Sequence, residues 1–257
     1  MDRRRFLRNA ILFFPACGVL PGAVGQAFAA AQAKSADDTG LDGYKSDQHW
    51  YGMGIEIDKC IGCNRCAEAC KAENQVPKDD FHFRTWVERY RIRHDGEAQV
   101  ECISTQLRWE RESGEEDRDV IRTFFVPKLC NQCAHPPCTQ VCPVGATFQT
   151  KDGVVLVDEK RCIGCRYCIQ ACPYGARYLN PYTRTAEKCT FCYHRISKDQ
   201  LPACVEVCPT QARIFGDLNS NASRLVRFQR VNTINVLKPD LNTEPKVRYA
   251  KLDGEVR

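Results

Sequence analysis

Cysteine is the residue type in this chain whose placement points most clearly to chemistry. Of 18 Cys in 257 residues, 16 fall into four quartets. Cys60, Cys63, Cys66 and Cys70 form a C-x2-C-x2-C-x3-C run. Cys162, Cys165, Cys168 and Cys172 repeat it almost to the interior residues, CIGCNRC against CIGCRYC. Two stretched versions complete the set. In Cys130, Cys133, Cys138 and Cys142 four residues precede the third Cys, and in Cys189, Cys192, Cys204 and Cys208 eleven do. Three thiolates in one tight loop can wrap three corners of a cubane iron–sulfur cluster, while the fourth Cys lies on the next helical turn and points away. Gly62 and Gly164 stand inside such loops, where the backbone must turn sharply and approach closely. Pro143, Pro173 and Pro209 follow the fourth Cys of their quartets, whereas Lys71 follows Cys70. Every quartet is complete, so the expectation is four [4Fe–4S] clusters and a chemistry of one-electron transfer.

Other uses of these residues fit less well. Zinc takes two separated Cys pairs in a tetrahedral site, which leaves the third Cys of each loop surplus. Disulfides do not account for a repeated three-plus-one spacing. A c-type haem requires C-x-x-C-H, which does not occur. His49, His82, His94, His135 and His194 match no ligand spacing and read as surface or packing residues. Cys102 reads as a buried packing cysteine. No nucleophile–base pair and no phosphate loop emerges, so no catalytic residue is assigned.

The elements that must hold the quartets are partly readable. Met53 to Asp58 reads as a strand running into the first quartet. Residues 84–93 alternate with period two, as a half-buried strand does. Asp95-Gly96 is a turn signal, with a return strand expected from Val100 to Leu107. Arg108 to Arg122 is a charge-rich loop, and Val120 to Val126 resumes strand character. Between the second and third quartets, GATFQ, a Lys151-Asp152-Gly153 turn and VVLVD make a small hairpin, the layout of a two-cluster ferredoxin. A helix over Ser220–Arg230 precedes an extended end.

The N-terminus reads as an address. Residues 1–29 have a basic start, an apolar middle and a small-residue end, the build of a signal peptide. Asp2-Arg3-Arg4-Arg5-Phe6-Leu7-Arg8 resembles the twin-arginine export motif. An ordinary Sec signal, an uncleaved anchor and a lipoprotein site at Cys17 are the alternatives. Twin-arginine export carries folded proteins, which cluster insertion in the cytoplasm would require. The expected location is therefore the periplasm or the outer face of the cytoplasmic membrane. Residues 30–48 are small and polar and read as a linker. The formal charge of +5 falls to +2 without residues 1–29. Four cubanes at about −2 each would take it to roughly −6, so nucleic acid is not an expected partner.

The quartets in this order resemble the four-cluster iron–sulfur subunits of dimethyl-sulfoxide-reductase-type complexes. Similar proteins include the tetrathionate, polysulfide and arsenate reductase subunits, the formate-dependent nitrite reductase protein and a sulfite-reductase-associated periplasmic protein. The resemblance covers residues 50–250 and is carried by KLCNQCAHPPCTQVCPVGATF, KRCIGCRYCIQACPYGARYLNP, EKCTFCYHR and LPACVEVCP. It implies an α+β fold of two nested ferredoxin-like dicluster units with a β-hairpin insertion and a C-terminal tail. Residues 130–180 would be the inner unit, and 49–76 with 181–216 the outer one. Residues 77–129 would be the insertion and 217–257 a docking tail, neither being needed to hold a cluster.

The resemblance also implies crossed ligand sets. These are Cys60, Cys63, Cys66 with Cys208; Cys189, Cys192, Cys204 with Cys70; Cys130, Cys133, Cys138 with Cys172; and Cys162, Cys165, Cys168 with Cys142. The implied function is an electron conduit between an integral membrane quinone-handling subunit and a molybdopterin catalytic subunit or another redox protein. The chain itself would be peripheral to the membrane. The other readings are a subunit of a sulfite-reductase-associated membrane redox complex without a molybdopterin partner and a freestanding periplasmic ferredoxin.

Overall fold

The computed structural model describes residues 44–103 and 119–256. The expected signal segment with Cys17, most of the linker and most of the Arg108–Arg122 loop lie outside these residues. The core is built on β1 (Tyr51–Glu56), a strand buried along nearly its whole length. It pairs antiparallel with β9 (Arg213–Asp217) on one side and parallel with β11 (Val247–Ala250) on the other. The short β10 (Ile234–Asn235) closes the edge, giving the order β10-β11-β1-β9. Both faces are covered: Met53 and Ile55 share one face and are fully buried, while Gly52 and Gly54 on the other leave room for Leu225 and Phe228 to lie close against the backbone.

The tail is therefore part of the core, unlike the separable segment expected from sequence. Val247, Tyr249 and Ala250 have no exposed surface. Lys246 is buried, donates to the Gly153 carbonyl and lies over the Trp50 ring. The expected helix is α6 (Arg224–Val231), started by Ser223, whose hydroxyl accepts from the Leu225 N–H. Leu225 and Phe228 point from it onto the sheet.

The insertion is a three-stranded antiparallel sheet, β3-β2-β4, from β2 (Thr85–Arg93), β3 (Ala98–Ile103) and β4 (Val120–Leu129). It too joins the core, since Val87, Tyr90, Val126 and Leu129 pack with Met53 and Ile55. Cys102 departs from expectation. It stands on the outer strand β3 and is exposed, because only one flank of that strand is paired and its face meets solvent.

Two small hairpins complete the fold. The expected one between the second and third quartets is β5 (Thr147–Gln149) with β6 (Val155–Val157). The other is β7 (Arg177–Leu179) with β8 (Ala186–Lys188). Among the described residues no helix is long and apolar enough to cross a membrane.

Candidate metal centres

Three of the four quartets divide after their third cysteine, the fourth joining a different set. Cys60, Cys63 and Cys66 line one cavity with Cys208. Cys189, Cys192 and Cys204 line another with Cys70. Cys130, Cys133 and Cys138 line a third with Cys172. The three spaces are alike in size, about 330, 280 and 320 Å³ out to their open rims. Cys162 and Cys168 pack beside Cys138 in a separate apolar cluster with Val155 and Ala186.

Local backbone explains the division. The third residue of each loop is left-handed: Gly62 at φ 69°, Gln132 at 46°, Gly164 at 68° and Phe191 at 54°. That turn folds the loop's N–H groups inward, and the Phe191 N–H reaches the Cys189 sulfur at 3.4 Å. A Cβ on Gly62 would lie 2.6 Å from the Phe125 ring, and one on Gly164 2.5 Å from the Arg184 carbonyl. The third Cys then starts or sits within a short helix. These are α1 (Arg65–Glu73), α2 (Pro137–Gln140), α3 (Tyr167–Gln170) and α5 (Ala203–Glu206). A further turn, α4 (Tyr193–Ile196), follows Cys192.

After Cys142, Cys172 and Cys208 the Pro stops the helix, and the chain reverses at a left-handed residue three positions on, Gly145, Gly175 or Gln211. Cys70 has Lys71 instead of Pro, so α1 runs on to Glu73. Lys71 is buried and donates to the Pro77 and Asp79 carbonyls, which fastens the following loop. The reversal wraps backbone donors around the fourth cysteine. N–H groups of Val144, Ala146 and Thr147 face Cys142 and, against the cost of burial, hold its thiol below the usual range. Those of Arg213, Ala212 and Thr210, with the Thr210 hydroxyl, do the same for Cys208.

Several buried thiols are held the opposite way. Burial pushes Cys60 up to about 11, with Cys66 and Cys208 adding to it against a Gly62 hydrogen bond. Burial and then Cys204 push Cys189 up to about 12. Burial and then Cys130 do so for Cys133, also to about 12. Four crowded thiols in a dry space resist becoming thiolates unless a cationic group sits among them.

Buried cations stand close by. Arg177 donates to the Cys138 sulfur at 3.0 Å. Arg213 lines the Cys208 cavity. Lys188 is fully buried and donates to the Val155 and Cys189 carbonyls. Arg84 lines the Cys70 cavity and pairs with Glu187 at 3.0 Å. Sequence reasoning from the cysteines alone misses all four, although two carry a signal in their positions. Arg177 and Arg213 each stand five residues after a Cys-Pro cysteine, in CPYGAR and CPTQAR.

The cavities suit a polyatomic group better than a single ion. Among the described residues no three ligand-type side chains converge closely enough to hold one ion. The sulfurs stand around a space, as a cubane needs. Each of the three spaces is also lined by a residue with a buried polar atom that has no protein partner. These are Arg84 Nε, Asn131 at both side-chain ends, and Asn64 with Arg213 Nη1. Buried donors are rarely left unpaired, and cluster sulfides are acceptors for them.

The histidines lie elsewhere. His49 stacks between Tyr44 and Tyr51 and bonds Asp217, His82 bonds Asp79, and His194 bonds Glu73.

The cysteine cavities, the tight left-handed loops and the paired hairpins define a ferredoxin-type iron–sulfur protein. Residues 121–218 match the 4Fe-4S dicluster domain family. A tetrathionate reductase subunit of Salmonella typhimurium is 45% identical over 210 residues, covering 81% of this chain and 75% of that one. A polysulfide reductase subunit of Wolinella succinogenes is 35% identical, covering 77% and 92%. Protein NrfC of Escherichia coli is 37% identical, covering 77% and 78%. The chain belongs to the family of iron–sulfur subunits that contains these three proteins.

Proposed function

We propose that this chain is an electron-relay subunit built to hold four [4Fe–4S] clusters in two nested dicluster units, with crossed ligand sets. The observation that carries the proposal is the sharing of each cavity by three cysteines of one loop and the fourth cysteine of another. Cys162, Cys165, Cys168 and Cys142 complete the scheme by repetition. Cys142 has the same kind of backbone nest as Cys208, and Arg177 donates to Thr147 of its hairpin.

When bound, each cluster supplies one reversible electron-accepting centre. The protein's part is to hold the sites in sequence, keep water away and fix charges and donors around the sulfurs. The neighbour contacts support one order. Cys168 lies beside Cys138, Gln132 of the Cys130 loop donates to the Cys189 carbonyl at 2.6 Å, and α1 with Cys66 and Cys70 packs on α5 with Cys204. The order is therefore the Cys162 set, the Cys130 set, the Cys189 set, then the Cys60 set. The two outermost sets are the ones that reach solvent. Cys63 and Cys165 are exposed, each two residues after a prominent Ile, Ile61 and Ile163. They are the two contact points for redox partners.

By kinship those partners are a membrane quinone-handling subunit on one side and a molybdopterin catalytic subunit or another redox protein on the other. The relatives' names, reductase subunits, support a complex rather than a diffusible carrier. The Arg3-Arg4 motif supports export of the folded, loaded protein to the periplasm or the outer face of the cytoplasmic membrane. Replacing both arginines by Lys should leave a brown protein in the cytoplasm, and continued export would reject that route.

Anaerobically purified protein tests the central reading. It should be brown, absorb broadly near 400 nm, carry about sixteen irons and show four reducible centres by EPR. A zinc-loaded, colourless protein, or one with two clusters, would reject it.

A further inference from the structure

Arg177 and Arg213 share more than their distance from a Cys-Pro pair. Each is the first residue of a strand, β7 and β9, and each is buried. Each donates to the hydroxyl of a buried threonine that is itself the first residue of another strand. Arg177 Nη1 reaches Thr147 Oγ1 at 3.3 Å, and Arg213 Nη2 reaches Thr85 Oγ1 at 2.8 Å.

In both cases the arginine touches one cysteine site and its threonine touches the next. Arg177 lines the Cys130 site and donates to Cys138, while the Thr147 N–H donates to Cys142 at 3.5 Å. Arg213 lines the Cys60 site, while Thr85 lines the Cys189 site. The hydrogen bonds of both guanidiniums go to threonine hydroxyls and, for Arg177, to a cysteine sulfur. The thiols that act most on Arg213 are Cys66 and Cys204, one from each site. Those that act on Arg177 are Cys138, Cys130 and Cys168, again from both sides.

We propose that each Arg–Thr pair is an electrostatic bridge between the two clusters of one unit, its fixed positive charge raising both reduction potentials together. This inference rests on the four-cluster reading. A guanidinium stays charged at any working pH, so its effect is permanent. A reduced cluster carries one more negative charge than the oxidised one, and a buried cation beside it stabilises that added electron. One charge shared by two sites moves them in step, which raises both potentials while leaving the difference between them unchanged. Between the units the corresponding place is taken by Lys188, whose donors go to backbone carbonyls. Neither guanidinium hydrogen-bonds across that boundary, so each bridge acts chiefly within its own unit.

Redox titration followed by EPR on the loaded chain tests this, with iron content measured on every sample. Arg213→Met should keep its iron and lower the potentials of two clusters, those of the Cys60 and Cys189 sets, leaving the other two unmoved. Arg177→Met should do the same for the Cys130 and Cys162 sets. Arg213→Lys and Arg177→Lys, which keep the charge, should restore most of each shift. Full iron with unchanged potentials, or an equal shift in all four clusters, would overturn the proposal. So would loss of clusters in the Lys variants as well as the Met variants, since that marks a structural role. A second readout uses the unmutated protein with arginine labelled with ¹⁵N in the guanidinium alone, because the Arg213 main-chain N–H also faces Cys208. Pulsed EPR should find ¹⁵N coupled to a reduced cluster, and its absence would count against the bridge. If the unmutated protein lacks four clusters, the four-cluster reading fails first, and the two failures are distinguishable.

Discussion

The compact and the stretched quartets build two different kinds of site. In the compact loops, Cys60–Cys66 and Cys162–Cys168, only the third cysteine is buried and the second is exposed. In the stretched loops all three cysteines of each set are buried, and Cys70, which joins the Cys189 set, is buried as well. The extra residues account for this. Pro136-Pro137 and Pro202 allow the third cysteine to come from a helix that starts afresh, so the loop can close over its cavity. A three-residue step leaves no chain to cover the second cysteine. On the relay proposed above, loop length thus separates interior sites, kept dry, from terminal sites that partners can reach.

The largest expected contrast follows from ligand burial. Cys192→Ser removes an interior ligand where no water can replace it. It should lose about a quarter of the iron and interrupt transfer from one end to the other. Cys63→Ser should keep nearly all its iron with an altered EPR signal, because serine or solvent oxygen can serve at an exposed corner. Equal iron loss in both variants would break the distinction.

The walls of the interior come next. Tyr249 on β11 is fully buried and donates to the Pro127 carbonyl at 3.1 Å. Tyr249→Ala should cost about 3–5 kcal/mol in denaturant unfolding of the loaded protein. A loss under about 1 kcal/mol would return the tail to the role of an appendage.

The two terminal loops can be ranked against each other. Gly164→Ala meets a backbone carbonyl, whereas Gly62→Ala meets a phenyl ring that can turn. The first should lose about 1–3 kcal/mol and the second less. The reverse order would show the Phe125 wall to be the stiffer one.

The smallest effect on the fold should come from the exposed isoleucines. Ile61→Lys and Ile163→Lys should each leave iron content unchanged and stability within about 0.5 kcal/mol of the starting protein. Each should slow electron exchange at one end, read by stopped-flow with a quinol on one side and an acceptor on the other. Unchanged rates at both ends would remove these surfaces from the docking account.

Much of this was readable because ligand spacing is local. The quartets, the left-handed glycines Gly62 and Gly164, the 147–157 hairpin and the 85–93 strand all declare themselves within a few residues. Long-range pairing does not. Nothing in Val247–Ala250 says that it lies parallel to Tyr51–Glu56 near the other end of the chain, so the tail looked dispensable. The same holds for the 85–129 sheet, whose Val87 and Pro127 line the Cys60 cavity and whose Thr85 lines the Cys189 cavity. Cys102 misled because alternation in a strand does not say which face is covered. Arg177 and Arg213 had a signal in their matched positions, but charge in a strand ordinarily means solvent, and here it means a neighbouring cysteine site.

The crossed arrangement is the claim on which the account turns, and Cys208→Ser tests it most directly by EPR. The signal altered by Cys63→Ser identifies the terminal site, and the signal altered by Cys192→Ser identifies its interior neighbour. Cys208→Ser should disturb the first signal and spare the second. Disturbance of the second signal alone would mean that each quartet keeps its own fourth cysteine, and the crossed sites would be wrong.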